Sequence, residues 1–162
     1  MRFTLIDRIT SLVPGKSITA VKNLTLSEEY LADHFPGFPV MPGVLMVEAM
    51  VQAGAWFMRH EDNFAFSMVT LKAARAVKFV SFVMPGRTLQ VTAELLSSTA
   101  GESTFKGSGT VDGESMISAK LTLERFNLVD RHPRLAKADE LQRQAARELF
   151  RQLRTEMPGP RA

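Results

Sequence analysis

The 162 residues include no cysteine. That absence excludes disulfides, thiolate metal sites and a cysteine nucleophile together, and it fits a reducing cytoplasm. No window holds the roughly 18 uninterrupted apolar residues that a membrane-spanning helix needs. The N-terminal MRFTLIDRIT has no apolar run of signal-peptide length and reads as strand. An excess of one charge is also missing from most of the chain. The net charge is +3, and Arg131 to Ala162 alone carries eight Lys/Arg against four Asp/Glu, so the rest sums to about −1. A body without a basic excess is not a nucleic-acid-binding domain.

What is present is ordinary for a globular protein: 45% hydrophobic and 23% charged residues, in a length suited to one core. FTLIDRITSLV and SITAVKNLTL read as two strands joined at Pro14-Gly15. SEEYLADHF reads as a short helix with Ser27 as its N-cap. A Pro/Gly loop leads into a helix from about Gly43 to His60, GVLMVEAMVQAGAWFMRH, in which Glu48 and Gln52 interrupt an apolar surface. An all-round apolar helix belongs in the middle of something.

After it the pattern turns to period two. FSMVTLKAARAVKFVSFV, RTLQVTAELLSS, STFKGSGTV and ESMISAKLTLERF read as four strands, with turns at Pro85-Gly86, Ala100-Gly101 and Asp112-Gly113. One buried helix with long antiparallel strands implies an α+β fold, a sheet curled around a central helix. Residues 1–130 form that domain. Residues 131–162 form a basic C-terminal extension, where Leu141, Ala145, Leu149 and Leu153 make an amphipathic helix that stops at Pro158-Gly159-Pro160 and packs on its own domain or a neighbouring subunit, or else meets a lipid surface or an acidic partner.

The stretch HFPGFPVMPGVLMVEAM, residues 34 to 50, concentrates the chemistry. His34 exchanges a proton near neutral pH, as a general base must. Glu48, on a helix expected to be buried, suits a carboxyl kept protonated as a general acid. Pro42 and Gly43 open the helix, so the Gly43 and Val44 N–H groups lack intrahelical acceptors and suit a carbonyl oxygen gaining negative charge. Base, acid and oxyanion site together fit proton abstraction beside a carbonyl with loss of a β-hydroxyl, and none of the three needs a metal or other cofactor. The same residues have a plainer reading: a loop histidine before proline, and a glutamate bonded to backbone.

HFPGFPVMPGVLMVEAMVQ closely resembles the active-site motif of the bacterial β-hydroxyacyl-acyl carrier protein dehydratases of fatty acid synthesis. FTLIDRI, NLTLSEEYLADHFPG and KFVSFVMPGRTLQV resemble further segments of that family, in order, over residues 3 to about 125. The resemblance implies the hotdog fold and a dimer or trimer of dimers with the active site between subunits. It implies that His34 of one subunit removes the α-proton while Glu48 of the other protonates the departing hydroxyl. Gly43 and Val44 would polarise the thioester carbonyl. Glutamate at 48 resembles the broad dehydratase branch rather than the dehydratase-isomerases, which carry aspartate there. Two positions depart from the family pattern: Asp33 stands where glycine is usual, and Arg87 where an acidic residue is usual.

Gln52, one turn beyond Glu48, is placed either to hydrogen-bond that carboxyl or to meet a neighbouring subunit. Phe35, Phe38, Val40, Met41 and Met46 are candidates to line an acyl tunnel, or plain core. Arg75, Lys78 and Arg87, expected on one strand pair near the tunnel mouth, are candidates for a basic rim toward an acidic acyl carrier protein, or ordinary solvated charges. The alternatives are dehydration in a specialised lipid or polyketide pathway, a hotdog acyl thioesterase, and a non-catalytic acyl-binding partner subunit.

Overall fold

The computed structural model describes residues 3–154. The first two runs form an antiparallel hairpin of β1 (Arg8–Val13) and β2 (Ser17–Asn23). β1 starts later than the sequence pattern predicts. Leu5 and Ile6 are buried in the core, and the Leu5 N–H donates to Gln52 Oε1 at 2.8 Å, so this segment serves the central helix before the ladder begins. The predicted short helix shrinks to one 3-10 turn, Glu29–Leu31, with Glu28 at its N-cap and no side-chain cap. Ser27 is not the cap, because its hydroxyl pairs with that of Thr25 at 2.6 Å.

The helix α1 (Gly43–Glu61) buries Met46, Ala49, Met50, Ala53, Phe57 and Met58 among others. It packs against one face of a six-stranded sheet with β3 (Met68–Phe79), β4 (Thr88–Ser98), β5 (Glu102–Val111) and β6 (Glu114–Phe126). The order is β1-β2-β4-β5-β6-β3, antiparallel throughout. Phe57 of α1 meets Phe105 of β5 edge to face at 5.6 Å, an arrangement contributing about 0.5–1.5 kcal/mol beyond its buried area. β3 ends at Phe79, earlier than the run to Val83 predicts. Beyond it Val80 and Ser81 N–H still donate to the Met116 carbonyl at 2.8 and 3.4 Å, but the Val83 carbonyl is taken by the Met41 N–H at 2.9 Å, which pins the Pro/Gly loop instead.

The helix α2 (Ala136–Arg154) docks on the same core. Phe150 and Leu153 belong to the main hydrophobic cluster, and the Phe150 ring lies 5.9, 5.6 and 5.4 Å from Trp56, His60 and Phe64. Leu149 is half-buried, but Leu141 and Ala145 of the predicted stripe are exposed. The predicted Pro158-Gly159-Pro160 stop lies outside the described residues.

Asp139 anchors the start of α2. It is buried and accepts hydrogen bonds from the Leu128 and Val129 N–H groups, at 2.8 and 2.9 Å, and from the Ser67 hydroxyl. Burial opposes its ionisation, but these bonds and the nearby Arg143 charge outweigh it and hold the carboxyl below its ordinary value. A depressed carboxylate contributes stability in full above its unfolded pKa of about 3.9, and loses it as pH falls through the lower folded value. Acid titration followed by Trp56 emission, which senses Phe150, is therefore expected to show α2 loosening below about pH 4. Asp139→Asn should flatten that acid limb and lower the melting temperature at pH 7 by several degrees. An unchanged acid limb would assign the transition to other carboxylates.

Candidate active site

The loop carrying His34 is closed by its own backbone. Val40 N–H bonds to the His34 carbonyl at 2.9 Å, and Phe35 and Phe38 exchange bonds at 3.0 and 2.9 Å. Gly37 makes this turn possible with φ +78°, a conformation that costs glycine little. The half-buried His34 ring places Nδ1 2.9 Å from the Val40 carbonyl oxygen. A carbonyl can only accept, so Nδ1 carries the proton and Nε2 keeps its lone pair, the state a base needs. Asp33 is exposed and forms neither a hydrogen bond nor an ion pair with His34.

Pro42 caps α1 through its carbonyl, which accepts from Leu45 and Met46 N–H at 2.9 and 3.3 Å. Among the described residues the Gly43 and Val44 N–H groups have no acceptor, so the helix start presents two free donors. Gly43 also admits a close neighbour. A Cβ there would lie 2.7 Å from Phe79 Cε1, so the ring rests against the helix start.

Glu48 is half-buried rather than sealed in the core. The helix leaves one flank open beside α2 and the N-terminal segment, and Glu48 faces it. Gln52 donates to Glu48 Oε1 at 3.0 Å and to the Phe3 carbonyl at 3.1 Å, while its own oxygen accepts from Leu5 N–H. The Leu5 N–H needs an acceptor, which settles the amide orientation and leaves the NH₂ toward the carboxyl. A proton on Glu48 therefore sits on Oε2. Glu48 lines a cavity of about 580 Å³, with Gln52, Trp56 and Arg59 along α1.

Within one chain His34 and Glu48 share no hydrogen bond, and the cavity wall beside Glu48 does not include His34. The residues proposed for a tunnel also separate. Val40, Met41 and Met46 are buried in the core, whereas Phe35 and Phe38 are about half exposed. Among the described residues, no group of three or more His, Asp or Glu side chains is disposed to hold a metal ion.

A family model described as a FabA-like domain matches residues 1–120. The 3-hydroxyacyl-(acyl-carrier-protein) dehydratase FabZ of Oenococcus oeni is 44% identical over 119 residues, which is 72% of this chain and 84% of that protein. The chain belongs to the β-hydroxyacyl-acyl carrier protein dehydratase family. The FabZ of Bordetella pertussis is 43% identical over 128 residues, covering 72% of this chain and 82% of that protein. Among solved structures, the dehydratase heterocomplex ApeI:P from Xenorhabdus doucetiae aligns with a TM-score of 0.67 at 20% identity, over 82% of this chain and 90% of that one. At that identity it supports the fold alone, the hotdog arrangement of a helix against a wrapped sheet.

For this dehydratase-family chain, one expected grouping needs correction. Arg75, Lys78 and Arg87 do not share a strand pair: the first two are on β3, and Arg87 precedes β4, with β5 and β6 between those strands. Arg87 is already paired with Asp112 at 2.8 Å. Arg75 and Lys78 are exposed on either side of a ladder irregularity where Ala76 takes φ +50°, and among the described residues neither has an ion-pair partner. The cavity-facing Arg59 and the anchoring Asp139 were not evident from sequence. Both read there as ordinary helix-end or helix-face charges.

Proposed function

We propose that this protein is a (3R)-hydroxyacyl-acyl carrier protein dehydratase acting in the cytoplasm on chains of fatty acid biosynthesis. The observation that carries the chemistry is the His34 ring, its Nδ1 occupied by Val40 and its Nε2 left as base, in a chain 44% identical to a protein of that named activity. In the reaction, Nε2 takes the α-proton, and the electron pair forms the α,β double bond. The C–O bond to the β-hydroxyl breaks, and the hydroxyl leaves as water with the proton from Glu48 Oε2. The Gly43 and Val44 N–H groups bind the thioester oxygen while it carries enolate charge.

His34 and Glu48 would meet between subunits. β3 is an edge strand, and Phe79, Val80, Phe82 and Met84 at and beyond its end are exposed. An edge strand with an exposed apolar patch at its end is a surface for pairing with a second copy. Pairing two β3 edges about a two-fold axis would bury this patch and set the histidine loop of one subunit against α1 of the other. Arg75 and Lys78 would then flank the entrance and meet the acidic carrier protein. The free Oε2 of Glu48 favours dehydration over thioester hydrolysis, which needs no acid at the β-hydroxyl.

The test is turnover of a 3-hydroxyacyl thioester on acyl carrier protein, followed by the enoyl absorbance. Enoyl product from the native chain is the expected result. A folded dimer giving none at any chain length would favour an acyl-binding partner subunit.

A further inference from the structure

The cavity beside Glu48 contains a second charged residue, Arg59, which the dehydration chemistry does not use. Three turns of helix are about 11 residues, so Glu48 and Arg59 leave α1 on one face, roughly 16 Å apart along its axis. Between them the wall is mostly apolar, with Val51, Ala55 and Trp56 of α1, Val69 of β3 and Leu149 of α2, while Gln52 and Gln142 add polar groups. The α2 side lies beyond residue 120, outside the family match, so this cavity is partly this chain's own construction. It also accounts for the exposed part of the α2 stripe, which faces a cavity instead of packed core.

Arg59 is the anomaly in that wall. Its Nη1 is buried, and among the described residues it has no hydrogen-bond partner. No carboxylate among them lies within ion-pair distance, and its nearest aromatic neighbour is the Trp56 ring, 5.8 Å from centroid to guanidinium carbon. Arg59 as a residue is half-buried, and taking part of a charge out of water without a polar partner is costly, a cost arginine does not escape by losing its proton. A guanidinium at the end of an apolar channel suits a planar anion, which it binds through two parallel N–H donors.

We propose that the cavity holds the acyl chain and that Arg59 receives a carboxylate at its far end, so that the preferred substrate is an ω-carboxylated 3-hydroxyacyl thioester of medium length. This rests on the dehydratase reading for the position of the thioester end.

Trp56 is the only tryptophan in the chain, and its emission reads occupancy of the cavity directly. Native protein is titrated with dodecanoate and with dodecanol, beside Arg59→Met and Arg59→Lys. Dodecanoate is expected to bind native protein at least about tenfold more tightly than dodecanol, with the preference lost in Arg59→Met and partly kept in Arg59→Lys. Arg59→Met removes an unpaired buried charge, so its melting temperature should equal or exceed that of the native chain. In the catalytic arm, carrier-bound 3-hydroxydodecanoyl thioesters ending in methyl or in carboxylate are compared. A kcat/KM ratio of about tenfold for the carboxylate, collapsing in Arg59→Met, supports the assignment. Equal binding of the two probes, or discrimination that persists in Arg59→Met, overturns it. Enoyl formation that favours the methyl end overturns the substrate class while leaving the dehydratase reading intact. No enoyl from either thioester overturns that reading, and the binding titration then decides the role of Arg59 by itself.

Discussion

His34→Ala is expected to lower kcat for enoyl formation by about 10³-fold, with KM little changed. In the proposed reaction the ring supplies the lone pair that removes the α-proton, and water cannot take that place at the same distance and orientation. The fold should tolerate the change, because the loop is held by the Val40–His34 and Phe35–Phe38 backbone bonds rather than by the imidazole. Glu48→Gln is the matching test of the acid. Its amide oxygen still accepts from Gln52, so the contact to Phe3 and Leu5 survives, but no proton is available for the leaving hydroxyl. Its kcat should fall by a similar factor. Steady-state assays on the carrier-bound substrate, with melting temperatures alongside, check both. A variant that keeps more than about a tenth of native kcat removes its residue from the proton transfers.

Mixing the two inactive variants should restore activity. If each site draws His34 from one subunit and Glu48 from the other, a mixed dimer of His34→Ala and Glu48→Gln has one site with both groups intact and one with neither. Random reassembly from equal amounts makes about half the dimers mixed, so recovery should approach about a quarter of native activity. The effect is large because it starts from nearly zero. The separation of His34 from the Glu48 cavity within one chain motivates this experiment. Activity that stays at the single-variant level after verified subunit exchange would place both groups of each site in the same chain. The tunnel and the carrier rim would then have to be rebuilt within one chain.

Much of this was legible in sequence because the signals are local. The bounds of α1 follow from Pro42 at its start and from the uninterrupted apolar run, and the observed helix, Gly43–Glu61, extends one residue beyond the expected end. The period-two runs became β3 to β6, and the turns fell at their Pro-Gly and Asp-Gly pairs. The errors came where a local signal competed with a distant partner. Ser27 is a good cap by composition, but Thr25 takes its hydroxyl. Residues 80–83 are β-formers, but the Val83 carbonyl is used by Met41. Leu5 alternates like a strand residue, but its N–H goes to Gln52, 47 positions away.

The sequence by itself determined the fold class and the family, and put forward the groups proposed for the reaction, because periodicity, turn residues and a contiguous motif are all written within short spans of chain. Only the tertiary structure decided which proton His34 carries, since that depends on where the Val40 carbonyl points. It alone showed Glu48 half-buried at the edge of a cavity, because the openness of one helix flank depends on how α2 docks through Asp139 and Phe150. It alone singled out Arg59, a charge that is unremarkable in the sequence and anomalous only once folding has buried its Nη1 without a hydrogen-bond partner among the described residues.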